Sequence, residues 1–373
     1  MKRIWLVLAL ILGLQFTYLP AQALDAKIIR LVTEPNRNYS GFFYNDDLTL
    51  RLAPTGDLGK LVFYPAKRPR IWVVDTAFID DVIAMKDEYK IGLETGEKID
   101  GVGSDVATNW LNQFSFISSS DQVVVLPYGN PAYQLLKNYA PGELNYYYFH
   151  ANKRLATFLA RPVVSDKSGQ YSKGNLKSTN DLRIDYAQNR RMVTTLSRVV
   201  DAPELTTLRL QLARLLNPNI NNEFRARLLK SAEKEVIRSD RKLKIVSGRY
   251  RLTSASDKIP ITLVNDFSAP VKVTLELLPR NSRVQVAGIT DVSIAANSKM
   301  QLLLPVNVIT PGTVTVAARL TDAEGVAITK YSQLNLNLSV VDSRVAWFTS
   351  SAAVLLFAAA TLQTVRRVRR SRK

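Results

Sequence analysis

The sequence predicts an α/β region of parallel strands, read as a partial or reduced TIM-like barrel, then helices, an all-β immunoglobulin-like sandwich and one transmembrane helix. Three observations predict this fold class. Short apolar strands alternate with helical segments early in the chain, which is typical of βαβ units. From Lys244 onward the apolar spacing changes from about 3.6 residues to about 2. Residues 345–365 carry no charged side chain.

The N-terminus has the pattern of a secretory signal peptide. Lys2 and Arg3 precede an apolar run, Ile4–Leu14, and Ala21–Ala23 forms a small-residue cleavage site. We therefore expect residues 1–23 to be removed on export. An uncleaved N-terminal anchor is the alternative.

The C-terminus predicts a membrane anchor. At about 1.5 Å per residue, a helix over residues 345–365 would cross a hydrocarbon core of about 30 Å. The basic residues within 366–373 would keep that end in the cytoplasm. The expected location is thus the cell membrane, with a single pass, an extracytoplasmic N-terminal body and a cytoplasmic C-terminus.

The mature chain begins with the α/β region. Apolar runs at Lys27–Val32, Arg70–Val74 and Gln122–Leu126 predict buried strands, and the segments between them have helical spacing. The predicted order is a signal peptide (1–23), the α/β region (24–165), a basic helical segment (166–243), the sandwich (244–343), the transmembrane helix (345–365) and a basic tail (366–373).

Alternation of apolar and polar residues predicts the sandwich. It runs through Val271–Leu277, Met300–Val308, Val314–Leu320 and Leu334–Val340, and turn residues such as Pro311 and Gly312 separate the runs. Several short strands of this kind in one domain are typical of an immunoglobulin-like sandwich.

Composition excludes several chemistries. The chain has no cysteine and one histidine, His150. Disulfides, thiolate metal sites and sites that need two imidazoles are therefore excluded. We expect no cofactor and no metal.

Positive charge is concentrated in the middle of the chain. Residues 151–260 carry 23 basic and 10 acidic side chains, a net of +13. Arg190, Arg191, Arg225 and Arg227 are the candidates for a basic surface. Outside a cell the matching partners are an anionic wall polymer, lipid headgroups or an envelope-synthesis membrane protein, and nucleic acid is not expected. Solvated helix faces are the alternative interpretation.

Three sequence segments resemble those of a family of actinobacterial exported proteins of unknown function. They are Arg70–Ile79 (RIWVVDTAFI), Val123–Pro131 (VVVLPYGNP) and Leu252–Thr274 (LTSASDKIPITLVNDFSAPVKVT). The resemblance implies a signal peptide, a barrel-like region, a sandwich, a terminal anchor and a gene often near the lipid II flippase. Family members are longer and tend to have aspartate at the position of Asn130.

The ends of the predicted strands provide a candidate ligand cleft. Ligands of parallel sheets bind beyond the carboxyl ends of the strands, where this chain has Glu34, Asp75, Tyr128 and Asn130. These groups suit a carbohydrate, and two carboxylates about 5–10 Å apart could hydrolyse a glycoside. Alternatively, Asp75 caps a helix. We expect a non-catalytic, membrane-anchored binding or scaffold protein of the bacterial envelope, and the alternative is a hydrolase of cell-wall glycan.

Overall fold

The computed structural model describes residues 26–93, 96–176, 179–339 and 343–370. The chain divides into two compact units. The first unit comprises Met1–Tyr186 and Leu210–Ala232, and the second comprises Ala187–Arg209 and Glu233–Lys373. The predicted signal peptide lies outside the described residues. The predicted domain boundaries stay predictions.

The first unit contains a parallel sheet. Its strands are β1 (Lys27–Leu31), β2 (Arg70–Val74), β5 (Gln122–Val125) and β6 (Val164–Ser165), in the order β1-β2-β5-β6. A separate hairpin joins β3 (Lys90–Gly92) and β4 (Lys98–Asp100). The predicted TIM-like barrel is wrong, because among the described strands β1 pairs only with β2 and β6 only with β5. The sheet is therefore open.

The first unit also contains helices. They are α1 (Asp47–Leu52), α2 (Asp57–Phe63), α3 (Thr76–Lys86), α4 (Ser104–Ser118), α5 (Tyr133–Tyr139) and α6 (Pro141–Leu159). Helix α6 shows why they form. Its Leu144, Tyr148, Ala151 and Leu155 recur at helical spacing, and all four are buried.

The core of the first unit is aromatic. The indole ring of Trp72 on β2 packs edge-on against Phe114 of α4 at 5.4 Å between ring centroids. Trp110 lies at the same centroid distance from Phe78 of α3. All four rings are buried, so these contacts pack α4 against the sheet and α3 against α4.

Further along the chain come the helices α7 (Asn180–Leu196), α8 (Pro203–Leu212) and α9 (Asn222–Asp240). A 3₁₀ turn, Ala213–Leu216, follows α8 directly. Both the turn and the start of α9 belong to the first unit.

The second unit contains two sheets. One has the strand order β12-β10-β14-β15-β8 and the other has β11-β13-β9-β7. The strands are β7 (Leu243–Ile245), β8 (Gly248–Leu252), β9 (Ser256–Asn265), β10 (Val271–Pro279), β11 (Val284–Val286), β12 (Ile289–Ile294), β13 (Ser298–Val308), β14 (Gly312–Thr321) and β15 (Ser332–Leu338). Neighbouring strands are antiparallel except β15 and β8, which are parallel.

The last described element is helix α10, Ser343–Arg370. Among the described residues, no helix is both long enough and apolar enough to cross a membrane, so the predicted transmembrane helix over residues 345–365 is wrong. Polar side chains interrupt this segment at Thr349–Ser351 and again at Thr361, Gln363 and Thr364. A span needs about 20 predominantly apolar residues.

Candidate functional site

The carboxyl ends of three parallel strands meet at one edge of the first sheet. Glu34 follows β1, Asp75 follows β2, and Gly129 lies shortly after β5. The strand pairing continues to this edge, because the Asp75 amide donates to the Leu31 carbonyl at 3.0 Å. Side chains after different strands therefore come together here.

Asp75 caps helix α3. Its Oδ1 accepts a hydrogen bond from the Ala77 amide and another from the Gly129 amide, both at 2.9 Å. The side chain is buried, and burial raises the pKa of the Asp75 carboxyl to about 7, although the two amides and Arg214 oppose the shift. The residue therefore joins the end of β2 to the loop after β5.

Arg214, from the 3₁₀ turn, fills the space beside Asp75. Its Nη2 donates to the Ala77 carbonyl at 2.9 Å and to Asp81 Oδ1 at 2.8 Å, and the residue is only 3% exposed. Gly129 makes room for it. A Cβ at Gly129 would lie 2.9 Å from Arg214 Cγ, so no larger residue fits without displacing the arginine.

Asp81 of α3 holds the arginine in place. Its carboxylate also accepts from Arg37 Nε at 2.9 Å and from the Asn36 amide at 3.1 Å. Burial by itself would raise the pKa of Asp81, but Arg214 and Arg37 outweigh it and lower the pKa below its usual value. Asp81 is thus an ionised partner inside a closed network.

Tyr128 and Asn130 are buried beside this network. The Tyr128 hydroxyl donates to Asp80 Oδ2 at 2.9 Å, and Arg154 pairs with the same oxygen. Burial raises the pKa of the Tyr128 phenol well above its usual value. Asn130 has a left-handed backbone (φ 46°), and its buried Nδ2 has no hydrogen-bond partner among the described residues. Both side chains are about 1% exposed, so neither faces solvent.

The remaining space at the strand ends is small. Glu34, Asp75, Asp81, Gly129 and Arg214 line one cavity of about 10 Å³. That volume is about the minimum that holds one water molecule. The edge therefore has no room for a sugar ring as it stands.

The residues described contain no group of three or more histidine or acidic side chains placed to hold a metal ion. The carboxylates at the strand ends accept hydrogen bonds from arginines and backbone amides instead.

Not all of the candidate basic residues are exposed. Arg225 is buried, and its guanidinium donates to the carbonyls of Leu215, Asn217 (3.1 Å) and Ile220 (3.0 Å). These bonds satisfy carbonyls at and beyond the end of the 3₁₀ turn.

The other three arginines are more accessible. Arg227 is exposed and lies over the Phe224 ring at 5.5 Å. Arg191 is exposed and Arg190 is half-buried, both on helix α7. Of the four candidates, only these three can contribute charge to a surface.

Fold and site define a class: an α/β unit with a filled strand-end crevice, followed by a unit of two β-sheets. The chain belongs to a family of unknown function, DUF6049, whose model matches residues 178–373, just over half of its length. No curated protein matched its sequence.

Several solved structures are similar to part of the chain. Alpha-2-macroglobulin of E. coli is 14% identical, with 26% of this chain and 6% of that chain covered and a TM-score of 0.21. The E. coli chaperone DraB is 12% identical, with 26% and 54% covered and a TM-score of 0.20. WR4, an MSP family member of C. elegans, is 10% identical, with 27% and 98% covered and a TM-score of 0.19. Scores this low carry no functional inference.

Proposed function

We propose that this protein is a non-catalytic binding or scaffold protein of the bacterial cell envelope that works outside the cytoplasm. The export signal predicted over residues 1–23 supports the location. The observation that carries the function is the position of Arg214, whose guanidinium occupies the strand-end crevice where a parallel sheet normally binds its ligand.

Glycoside hydrolysis needs two carboxylates with a sugar between them. Here Asp81 is paired with two arginines, and Asp75 Oδ1 already accepts two backbone hydrogen bonds. The cavity between them and Glu34 has a volume of about 10 Å³. These groups therefore stabilise the fold and have no space in which to act on a glycan.

One observation favours the alternative, a hydrolase of cell-wall glycan. The pKa of Asp75 is raised to about 7, which is the range in which a general acid works. Glu34 lines the same cavity and is exposed to solvent. A hydrolase would require Arg214 to leave the crevice and break its bond to Asp81.

Complementation of a deletion strain distinguishes the two functions. Glu34→Gln and Asp75→Asn keep the shape of each side chain and remove its acid function. We expect both variants to restore growth and envelope integrity as well as the control Glu88→Gln, an exposed carboxylate on the loop after α3. Failure of Glu34→Gln and Asp75→Asn at normal protein level, with the control intact, would support the hydrolase.

A further inference from the structure

Two matching rows of side chains cross the outer face of the larger sheet in the second unit. Strand pairing places a threonine of β14 beside an asparagine of β15, and that asparagine beside an arginine of β8. The rows are Thr313, Asn337 and Arg251, and Thr315, Asn335 and Arg249. The alternate residues of these strands, such as Val314 and Leu336, are buried, so both rows lie on the solvent side.

The rows line a concave surface, which we call the outer groove. It also includes Arg280 and Asn281, which follow β10, and has a volume of about 680 Å³. A second depression of about 440 Å³ adjoins it and shares Arg249 and Asn335. The first volume alone lies within the range of small-ligand sites, about 300–1,000 Å³.

The outer groove carries uncompensated positive charge. Arg249, Arg251 and Arg280 are exposed, and in the part of the chain that the structure describes their guanidinium groups have no ion pair or hydrogen bond. Among the described residues, no acidic side chain lines either depression. Elsewhere on the same sheet face an arginine is neutralised, since Arg319 Nε lies 2.5 Å from Glu276 Oε2.

Hydrogen-bonding groups lie between these charges. The Thr315 hydroxyl donates to Asn335 Oδ1 at 2.9 Å, which leaves the amide nitrogen of Asn335 as a donor toward the groove. Amide and hydroxyl side chains can form hydrogen bonds with the hydroxyl groups of a sugar or polyol. Arginine binds phosphate or carboxylate through two parallel hydrogen bonds.

A protein partner fits this surface less well. Protein interfaces depend on buried aromatic or aliphatic anchors. The apolar side chains that line the outer groove, Val314 and Leu336, are only 4% and 2% exposed. Tyr250 is half-buried, and its hydroxyl already donates to the Pro260 carbonyl at 2.7 Å.

We propose that the outer groove binds an anionic carbohydrate polymer, in which sugar or polyol units carry phosphate or carboxylate groups. Arg249, Arg251 and Arg280 bind the charged groups, and the asparagines and threonines of the two rows bind the hydroxyls. The proposal rests on the envelope-binding function proposed above and supplies its site and ligand class.

Binding of labelled polymers to the full-length protein tests this site. The probes are a poly(glycerol phosphate), polygalacturonate and neutral dextran. Fluorescence anisotropy at a fixed salt concentration measures the binding of each probe. The groove variant is Arg249→Gln with Arg251→Gln. The control, Arg191→Gln with Arg227→Gln, removes the same charge from exposed positions outside the groove.

We expect the wild type to bind at least one anionic polymer and not dextran. The groove variant should bind it about tenfold or more weakly, as the loss of charge-assisted hydrogen bonds predicts, and the control should be within about twofold of wild type. The probe that binds distinguishes phosphate from carboxylate.

Equal weakening of both variants would overturn the site, because net charge alone would then explain binding. So would unchanged binding of the groove variant, equal binding of dextran, or no binding by the wild type. The result is independent of the strand-end crevice. If Asp75→Asn fails to complement while the groove variant behaves as expected, the proposed non-catalytic function is contradicted and the proposed binding site is supported.

Discussion

Arg214 Nη2 lies 2.8 Å from Asp81 Oδ1, in a position where both side chains are almost completely buried. The two residues are 133 positions apart in the sequence. Their contact fills the strand-end edge of the first sheet and couples the 3₁₀ turn to helix α3. A closed ion pair thus occupies the place where a sheet of this kind would bind a ligand.

Replacing Arg214 by methionine should destabilise the protein strongly. Asp81 would keep Arg37 as a partner but lose the more deeply buried cation. Breaking a buried ion pair from one side costs about 3–5 kcal/mol. Urea denaturation measures the free energy of unfolding, and Arg191→Met, at an exposed arginine, serves as the control. Equal stability of the two variants would mean that the pair contributes little.

Gly129→Ala should cost more than Gly41→Ala. Both glycines have positive φ angles, 76° and 89°, so alanine is strained at each by about 1–2 kcal/mol. Only at Gly129 does the added Cβ also meet Arg214, at 2.9 Å, whereas nothing lies within 4 Å at Gly41. The difference between the two unfolding free energies isolates this clash, and we expect it to be about 1–3 kcal/mol. A difference near zero would show that Arg214 moves aside freely.

Asp75 should make the wild type less stable as pH rises from about 4 to about 7. Its pKa is about 7 in the folded state and about 3.8 in the unfolded chain, so in this window the native state holds a proton that the unfolded state has lost. The effect is at most about 4 kcal/mol, since one pKa unit is about 1.36 kcal/mol. Asp75→Asn removes it. Unfolding free energies of both proteins across this range give the difference, and a difference that does not change with pH would contradict the raised pKa.

Arg225 and Arg227 are two residues apart and should behave differently. Arg225→Met removes hydrogen bonds to the carbonyls of Leu215, Asn217 and Ile220 and leaves them unpaired in a buried position. We expect a loss of about 2–4 kcal/mol, because each unsatisfied buried group costs about 1–3 kcal/mol and some regain water. Arg227→Met should change stability by less than about 0.5 kcal/mol, since Arg227 is exposed. Thermal unfolding measures the loss of stability in each variant. Equal losses for Arg225→Met and Arg227→Met would contradict a stabilising role for the buried hydrogen bonds.

Local sequence patterns predicted the strands better than their assembly. The apolar run Arg70–Val74 is strand β2 within the same bounds, because a continuous apolar segment next to Pro69 has few alternatives. Whether the sheet closes depends on pairing between β1 and β6, which no local pattern encodes. The prediction of a barrel is therefore wrong, although its strands are recognisable in the sequence.

The site was predictable only in part. Glu34 and Asp75 follow strands, and the parallel order brings both to one cavity. The arginine that fills that cavity was not predictable, because Arg214 lies in an apolar stretch, Leu212–Leu216, and its burial depends on Asp81 far away in the chain. Arg249 and Arg251 alternate in β8, yet the groove they line depends on the distant strand β15.

The most direct test of the filled crevice is glycan hydrolysis by the full-length protein. Purified protein is incubated with isolated cell-wall glycan, and new reducing ends are measured against a Glu34→Gln, Asp75→Asn double variant. Because Arg214 leaves a cavity of only about 10 Å³ between these carboxylates, we predict no difference between the two proteins. Reducing ends that the wild type releases and the double variant does not would contradict the account.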